Sequence, residues 1–348
     1  MKLRNSVRTC ALASLGLFVL IIDTKTALLG AKDGISLCLN SVIPSLFPFF
    51  VLSILINSTL SGANVAFLRP LGKLCNIPKG AESILLLGVL GGYPIGAKSI
   101  SDAYRYGTLS KEDSRRMLGF CSNAGPSFIF GIVGGLFSSV TPVFLLWGIH
   151  IISAILVGVI LPKSTDSSSG RSNSTAPIAL PQAIESAIRA ITSVCGWVVV
   201  FRIILYFCQH WFLWLLSEDL KITFIGLVEL TNGCHELFSV AAPGMRFVLA
   251  ATFLGFGGIC VLMQTFSVTA NCGIGLYFPG KIMQCTISFL LAYWTQSFVF
   301  QPMEQWRIPV YIPHILLIFL VAKVFCSHKK KKIVAIRHQM LYNIKKST

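Results

Sequence analysis

Along the chain, apolar runs of about 17 to 25 residues, the length a helix needs to cross a bilayer, alternate with short polar stretches. Crossings are expected near 7–22, 44–61, 118–139, 142–161, 195–216, 247–269, 283–301 and 309–326, eight in all. Two further segments, 84–98 and 222–242, are apolar enough to enter the bilayer but are interrupted by "GGYPIGA" and "ELTNGCHE". Glycine, proline and clustered polar residues do not suit a straight helix facing lipid, because freed backbone groups find no water there. Re-entrant hairpins that return to the side they left are therefore expected at both.

Composition agrees with this reading. Of 348 residues, 54% are hydrophobic and 12% charged, against roughly 25% charged in soluble domains, and the mean hydropathy is +0.74. The expected class is an all-α polytopic membrane protein with the lipid bilayer as its surroundings. The first apolar run follows Lys2, Arg4 and Arg8, as a secretory signal would, but no small-residue cleavage site follows it. It reads as a retained helix, with an amphipathic connector extending to residue 40.

The formal charge of +16 raises nucleic acid as a partner, yet the positive residues flank apolar segments, as cytoplasmic loops do. With both hairpins re-entrant and both termini cytoplasmic, 22 of the 29 Lys and Arg fall in cytoplasmic segments, Lys281 among them. Five fall outside, and Arg202 and Lys323 lie within crossings. No nucleic-acid partner is expected.

Hairpin, broken helix and flanking crossings then occur twice, entering first from one side and later from the other. The expected units are 1–40 (first helix and connector), 41–162 (first repeat), 163–181 (a Ser-rich cytoplasmic linker), 182–305 (second, inverted repeat) and 306–348 (last helix and basic tail). Inverted repeats with broken helices are the architecture of secondary transporters, which bind solute near the midplane.

Candidate chemistry sits at the breaks. "GVLGGYPIGAKS" nearly matches a phosphate-binding loop, but Ala97 displaces Lys98 from the required register. The first hairpin instead offers Tyr93 and Lys98, with backbone breaks at Gly92, Pro94 and Gly96. "CSNAGPSF" offers Ser122, Asn123 and Ser127 around a break at Gly125 and Pro126. The second hairpin offers Thr231 and Asn232 for binding, and Glu229, His235 and Glu236 for coupling or gating. "GFGGICVLMQT" offers Gln264 after the break at Gly257 and Gly258. A carboxylate at Glu229 needs a partner, a proton or water in such surroundings, and Lys98 either faces solute or snorkels to the interface. Glycine-rich breaks also serve close helix packing. The 11 cysteines lack metal or C-x-x-C spacing, and no catalytic constellation stands out. Neither metal, cofactor nor enzymatic activity is expected.

"SVIPSLFPFF", "GGYPIGAKSISDAYRYGTLS", "CSNAGPSFIFG", "ELTNG" and "GFGGICVLMQT", in this order and spacing, resemble the YlbJ type of sporulation integral membrane proteins. The hairpin regions resemble the nucleoside-recognition or Gate domain superfamily, which is similar to concentrative nucleoside transporters in repeat arrangement. The resemblance implies a transporter in the outer forespore membrane that moves dipicolinic acid from the mother cell to the spore. A small aromatic dianion suits hairpin N–H groups and the hydroxyl and amide donors above. A nucleoside or other small-solute carrier of the same fold, and a non-transporting scaffold, are the alternatives, and a homo-oligomer is compatible with each.

Overall fold

A computed structural model describes residues 2–60, 66–164 and 178–300. The expected crossing at 309–326, the basic tail and most of the Ser-rich linker lie outside the described residues. Every regular element among the described residues is helical.

Helix α1 (Lys2–Ile22) is followed after Asp23 by α2 (Thr24–Leu37), whose first turn Asp23 caps by accepting from the Thr26 amide. The expected amphipathic connector is thus helical, and it runs on through a π turn at Cys38–Val42 into α3 (Ile43–Leu60). The π turn lies just before Pro44, where the i to i−4 ladder loses a donor. Thr24–Ile56 is consequently one apolar helix long enough to cross a membrane, longer and earlier than the expected crossing at 44–61.

The short α4 (Arg69–Leu74) leads into a helical hairpin, α5 (Glu82–Leu90) and α6 (Ile95–Arg105), whose limbs pack on each other around a turn with a cis Tyr93–Pro94 peptide. Next, α7 (Lys111–Met117) is capped by Ser110, which accepts from the Asp113 amide. The chain then runs without an α-helix through 118–125 and resumes at α8 (Pro126–Gly131) and a 3-10 turn, Val133–Leu136. The expected crossing at 118–139 is therefore not one helix. Pro126 has no N–H to continue a helix and is favourable as the first residue of a new one.

Helix α9 (Thr141–Ile160) and the 32-residue α10 (Leu180–Trp211) follow, the latter starting well before the expected 195. The second hairpin is α11 (Glu218–Val228) and α12 (Leu230–Glu236), with Glu229 alone breaking the helix between them. Helix α13 (Pro243–Phe256) ends at Gly257, which takes φ +84°, a left-handed cap that glycine accepts without strain. From there α14 (Gly258–Val268) continues. Finally α15 (Tyr277–Val299) begins early enough to include Lys281, which the sequence reading placed in a cytoplasmic loop.

Four segments among the described residues are long and apolar enough to cross a membrane: Thr24–Ile56, Thr141–Ile160, Leu180–Trp211 and Pro243–Val268. The last is the most enclosed, because α13 packs along both α15 and α9. It buries residues all around its circumference, the consecutive Phe247, Val248, Leu249, Ala250 and Ala251 among them, as a helix surrounded by protein must. The protein is thus an all-helical membrane protein whose core is centred on α13.

Candidate functional site

The four interrupted elements meet. One cavity is walled by Gly92 and Tyr93 from the first hairpin, Ala124 and Gly125 from the unwound segment, Ser127 from α8, Glu229 to Thr231 from the second hairpin, and Val261 and Gln264 from α14. Leu46 and Phe50 of α3, Phe128 of α8, and Val194 and Val198 of α10 close it with apolar surface. The space open to the centre of a water molecule is about 40 Å³, room for about three waters. A larger solute enters only if the walls part.

Glycine makes this convergence possible. A Cβ on Gly88 or Gly96, one on each limb of the first hairpin, would run into the backbone carbonyl of Cys121, so the hairpin straddles the unwound segment backbone to backbone. Gly92 at the hairpin tip likewise meets Gly125. At the other break, a Cβ on Gly257 would come 3.0 Å from the Tyr93 hydroxyl, and one on Gly258 would come 3.1 Å from the Leu230 amide. Each break is seated on a hairpin tip.

Glu229 is 1% exposed and caps α12: its Oε2 accepts from the Asn232 amide at 2.6 Å and from Asn232 Nδ2 at 2.7 Å. A carboxylate is a strong acceptor for the free N–H groups of a first helical turn. Thr231, Ser127 and Gln264 are buried on the cavity wall, with Gln264 Nε2 also 3.4 Å from Cys260 Sγ. Asn232 is buried behind Glu229.

Other expected site residues lie elsewhere. Lys98 has a side chain 65% exposed and pairs with Asp102 at 3.1 Å, so it sits on an outer face, away from the cavity. The i,i+4 spacing on α6 explains this, since the residues flanking Lys98, Ala97 and Ser99, turn inward. His235 is exposed and packs edge-on against Phe238, and Glu236 faces Arg202 at 3.8 Å. Neither lines the cavity. Ser122 is buried, and its hydroxyl finds no hydrogen-bond partner among the described residues.

Asn123 belongs to a network that the sequence reading missed. Lys281, 1% exposed, donates from Nζ to Gln284 Oε1 at 2.7 Å, to the Tyr93 hydroxyl at 3.0 Å and to Asn123 Oδ1 at 3.5 Å. Gln284 Nε2 donates to Asn123 Oδ1 at 2.9 Å and to the His150 carbonyl at 3.3 Å. His150 Nε2 accepts from the Ala124 amide at 3.0 Å, which satisfies one backbone donor of the unwound segment. Further along α15, Ser288 donates to Ser153 Oγ at 2.9 Å. Lys281, Gln284 and Ser288 stand at i, i+3 and i+7, a polar stripe of helical period in an otherwise apolar run. That spacing was readable, but the glycine and proline before Lys281 in "YFPGK" looked like loop. Among the described residues, no three His, Cys, Asp or Glu side chains converge as a metal site would require.

No family model matches the chain, and no solved structure matches it. The chain is similar to the sporulation integral membrane protein YlbJ of Bacillus subtilis (strain 168), 29% identical over 168 residues. The match spans 44% of this chain and 40% of that protein, so the chain aligns with less than half of its curated relative. The resemblance to the YlbJ type is borne out by this match.

Proposed function

We propose, from that likeness to a sporulation membrane protein, that the chain is a transporter which carries a small anionic solute, dipicolinate, from the mother cell across the outer forespore membrane. The observation that carries this reading is the meeting of both hairpin tips, the unwound segment and α14 on one cavity, with the break at Gly257 seated against Tyr93. A scaffold has no need to bring four backbone interruptions, each costly in a membrane, to one place. In this reading the two hairpin-containing halves form an inverted repeat, and both termini are cytoplasmic. Transport proceeds by the halves parting around the cavity on one side and then the other.

The chain's own groups divide the work. Backbone at Gly92 and Gly125 and the Gln264 amide contact solute, Phe50 and Phe128 exclude water, and Glu229 fixes the start of α12 on the cavity wall. The aromatic rings and amide on that wall favour a second reading, a nucleoside carrier of the same architecture. Deleting the gene in a spore former and measuring spore dipicolinate decides between them. A large loss is expected, restored by the wild-type gene and not by a Gln264→Leu copy. Normal dipicolinate in the deletion strain overturns the assignment.

A further inference from the structure

We infer that Lys281 is the cation that makes this site select an anion, and that Tyr93 is its movable cover. The inference rests on the transporter reading above and assigns the charge recognition that reading lacks, since Lys98 stands outside. Lys281 is buried at the level of the unwound segment 118–125, and all its hydrogen-bond partners among the described residues are neutral oxygens: Tyr93, Gln284 and Asn123. Its ammonium also lies 5.1 Å from the ring centre of Tyr93 and 5.7 Å from that of Tyr277. Among the described residues it makes no ion pair, whereas Arg202, buried on α10, has Asp33 at 2.5 Å. An ammonium enclosed without a counter-ion is costly, and a charge held at that cost beside a solute cavity marks a place where the counter-ion arrives with the ligand.

Tyr93 joins the two regions. It lines the cavity, and its hydroxyl accepts from Lys281. It sits on the turn of the first hairpin, against Gly257, where no side chain blocks it. When the hairpin tip shifts, a carboxylate in the cavity takes the place of the Tyr93 hydroxyl on Nζ, while Gln284 and Asn123 continue to hold the ammonium. The ligand class is therefore a carboxylate or similar small anion, and a neutral solute of the same shape gains nothing from Lys281.

The test uses the full chain, purified in detergent, with calorimetric binding of dipicolinate and of its neutral dimethyl ester. Wild type is expected to bind dipicolinate and to prefer it to the ester. Lys281→Gln is expected to lose about tenfold or more in affinity for dipicolinate, the scale of a charge-assisted hydrogen bond, with ester binding unchanged. Its melting temperature is expected to equal or exceed that of wild type. Asn123→Asp gives Lys281 a resident carboxylate and is expected to weaken dipicolinate binding comparably, with no further loss when Lys281 is already Gln. This second variant stands even where Lys281→Gln fails to fold. Wild-type binding of dipicolinate with undiminished affinity in both variants overturns the role of Lys281 and leaves the transporter reading intact. If wild type does not bind dipicolinate, that reading falls and the inference with it.

Discussion

Glu229 ends one helix and begins the next. Its backbone is extended, with φ −142° and ψ 120°, and its side chain returns to the Asn232 amide. What α12 needs from it is an acceptor, which glutamine also supplies. Glu229→Ala is expected to cost about 1 kcal/mol of stability, as a lost N-cap does, and Glu229→Gln distinctly less, as judged by melting of the purified protein. Equal losses would mean that the charge, not the acceptor, holds the helix. Glycine makes a second case. Gly88→Ala would drive a methyl into the Cys121 carbonyl, with backbone on both sides unable to yield, and is expected to cost roughly 1–3 kcal/mol as overpacking does. Gly148→Ala on α9 meets nothing within 4 Å and is expected to be neutral or mildly stabilising, since alanine favours helix. Melting temperatures of the two variants side by side check the contrast.

Pairs of elements show why some of this was legible and some was not. The breaks at Gly92, Gly125, Glu229 and Gly257 announce themselves, because glycine, proline and charge are conspicuous inside apolar runs. Gly92, Gly125 and Glu229 line one cavity and Gly257 sits against Tyr93 beside it, a meeting made by packing between distant elements. Lys281 escaped notice because a local reading assigns a lysine after Phe-Pro-Gly to a loop, and only the stripe shared with Gln284 and Ser288 places it on an inward helix face. Lys98 misled for the opposite reason: next to a motif-like glycine stretch, its helical phase faces it outward. The 24–37 stretch read as a connector because of its charges, Lys25, Lys32 and Asp33, but its small residues are an interface. Gly30 and Gly34 let α2 approach the backbone of α10 at Ile203 and Val199, the close packing that a small-xxx-small spacing permits. Asp33 then reaches Arg202 Nε at 2.6 Å and accepts from the Tyr206 hydroxyl at 3.1 Å. Asp33→Ala leaves Arg202 buried against Glu236 alone. It is expected to cost roughly 1–3 kcal/mol, less than for a fully buried pair because Asp33 is partly exposed. Adding Arg202→Met is expected to recover part of that loss, which a double-mutant cycle on melting data would read.

For the whole molecule, the construction of the cavity bears on the proposed transport. Its walls come from α3, both hairpins, the unwound segment, α8, α10 and α14, so a carrier built on it opens by moving one group of elements against another. Ser127, buried on the wall, reports on that movement, whereas Lys98 on the outer face does not. In a background without reactive cysteines, Ser127→Cys is expected to react slowly with a small water-soluble thiol reagent and to change its rate several-fold on adding dipicolinate. Lys98→Cys is expected to react fast and at the same rate with or without the solute. A carrier that alternates access requires the difference, because occupancy of the site shifts the balance between its open and closed forms. A cavity that only packs the interior would leave both rates untouched by the solute, and that result would remove the movement on which the transport reading depends.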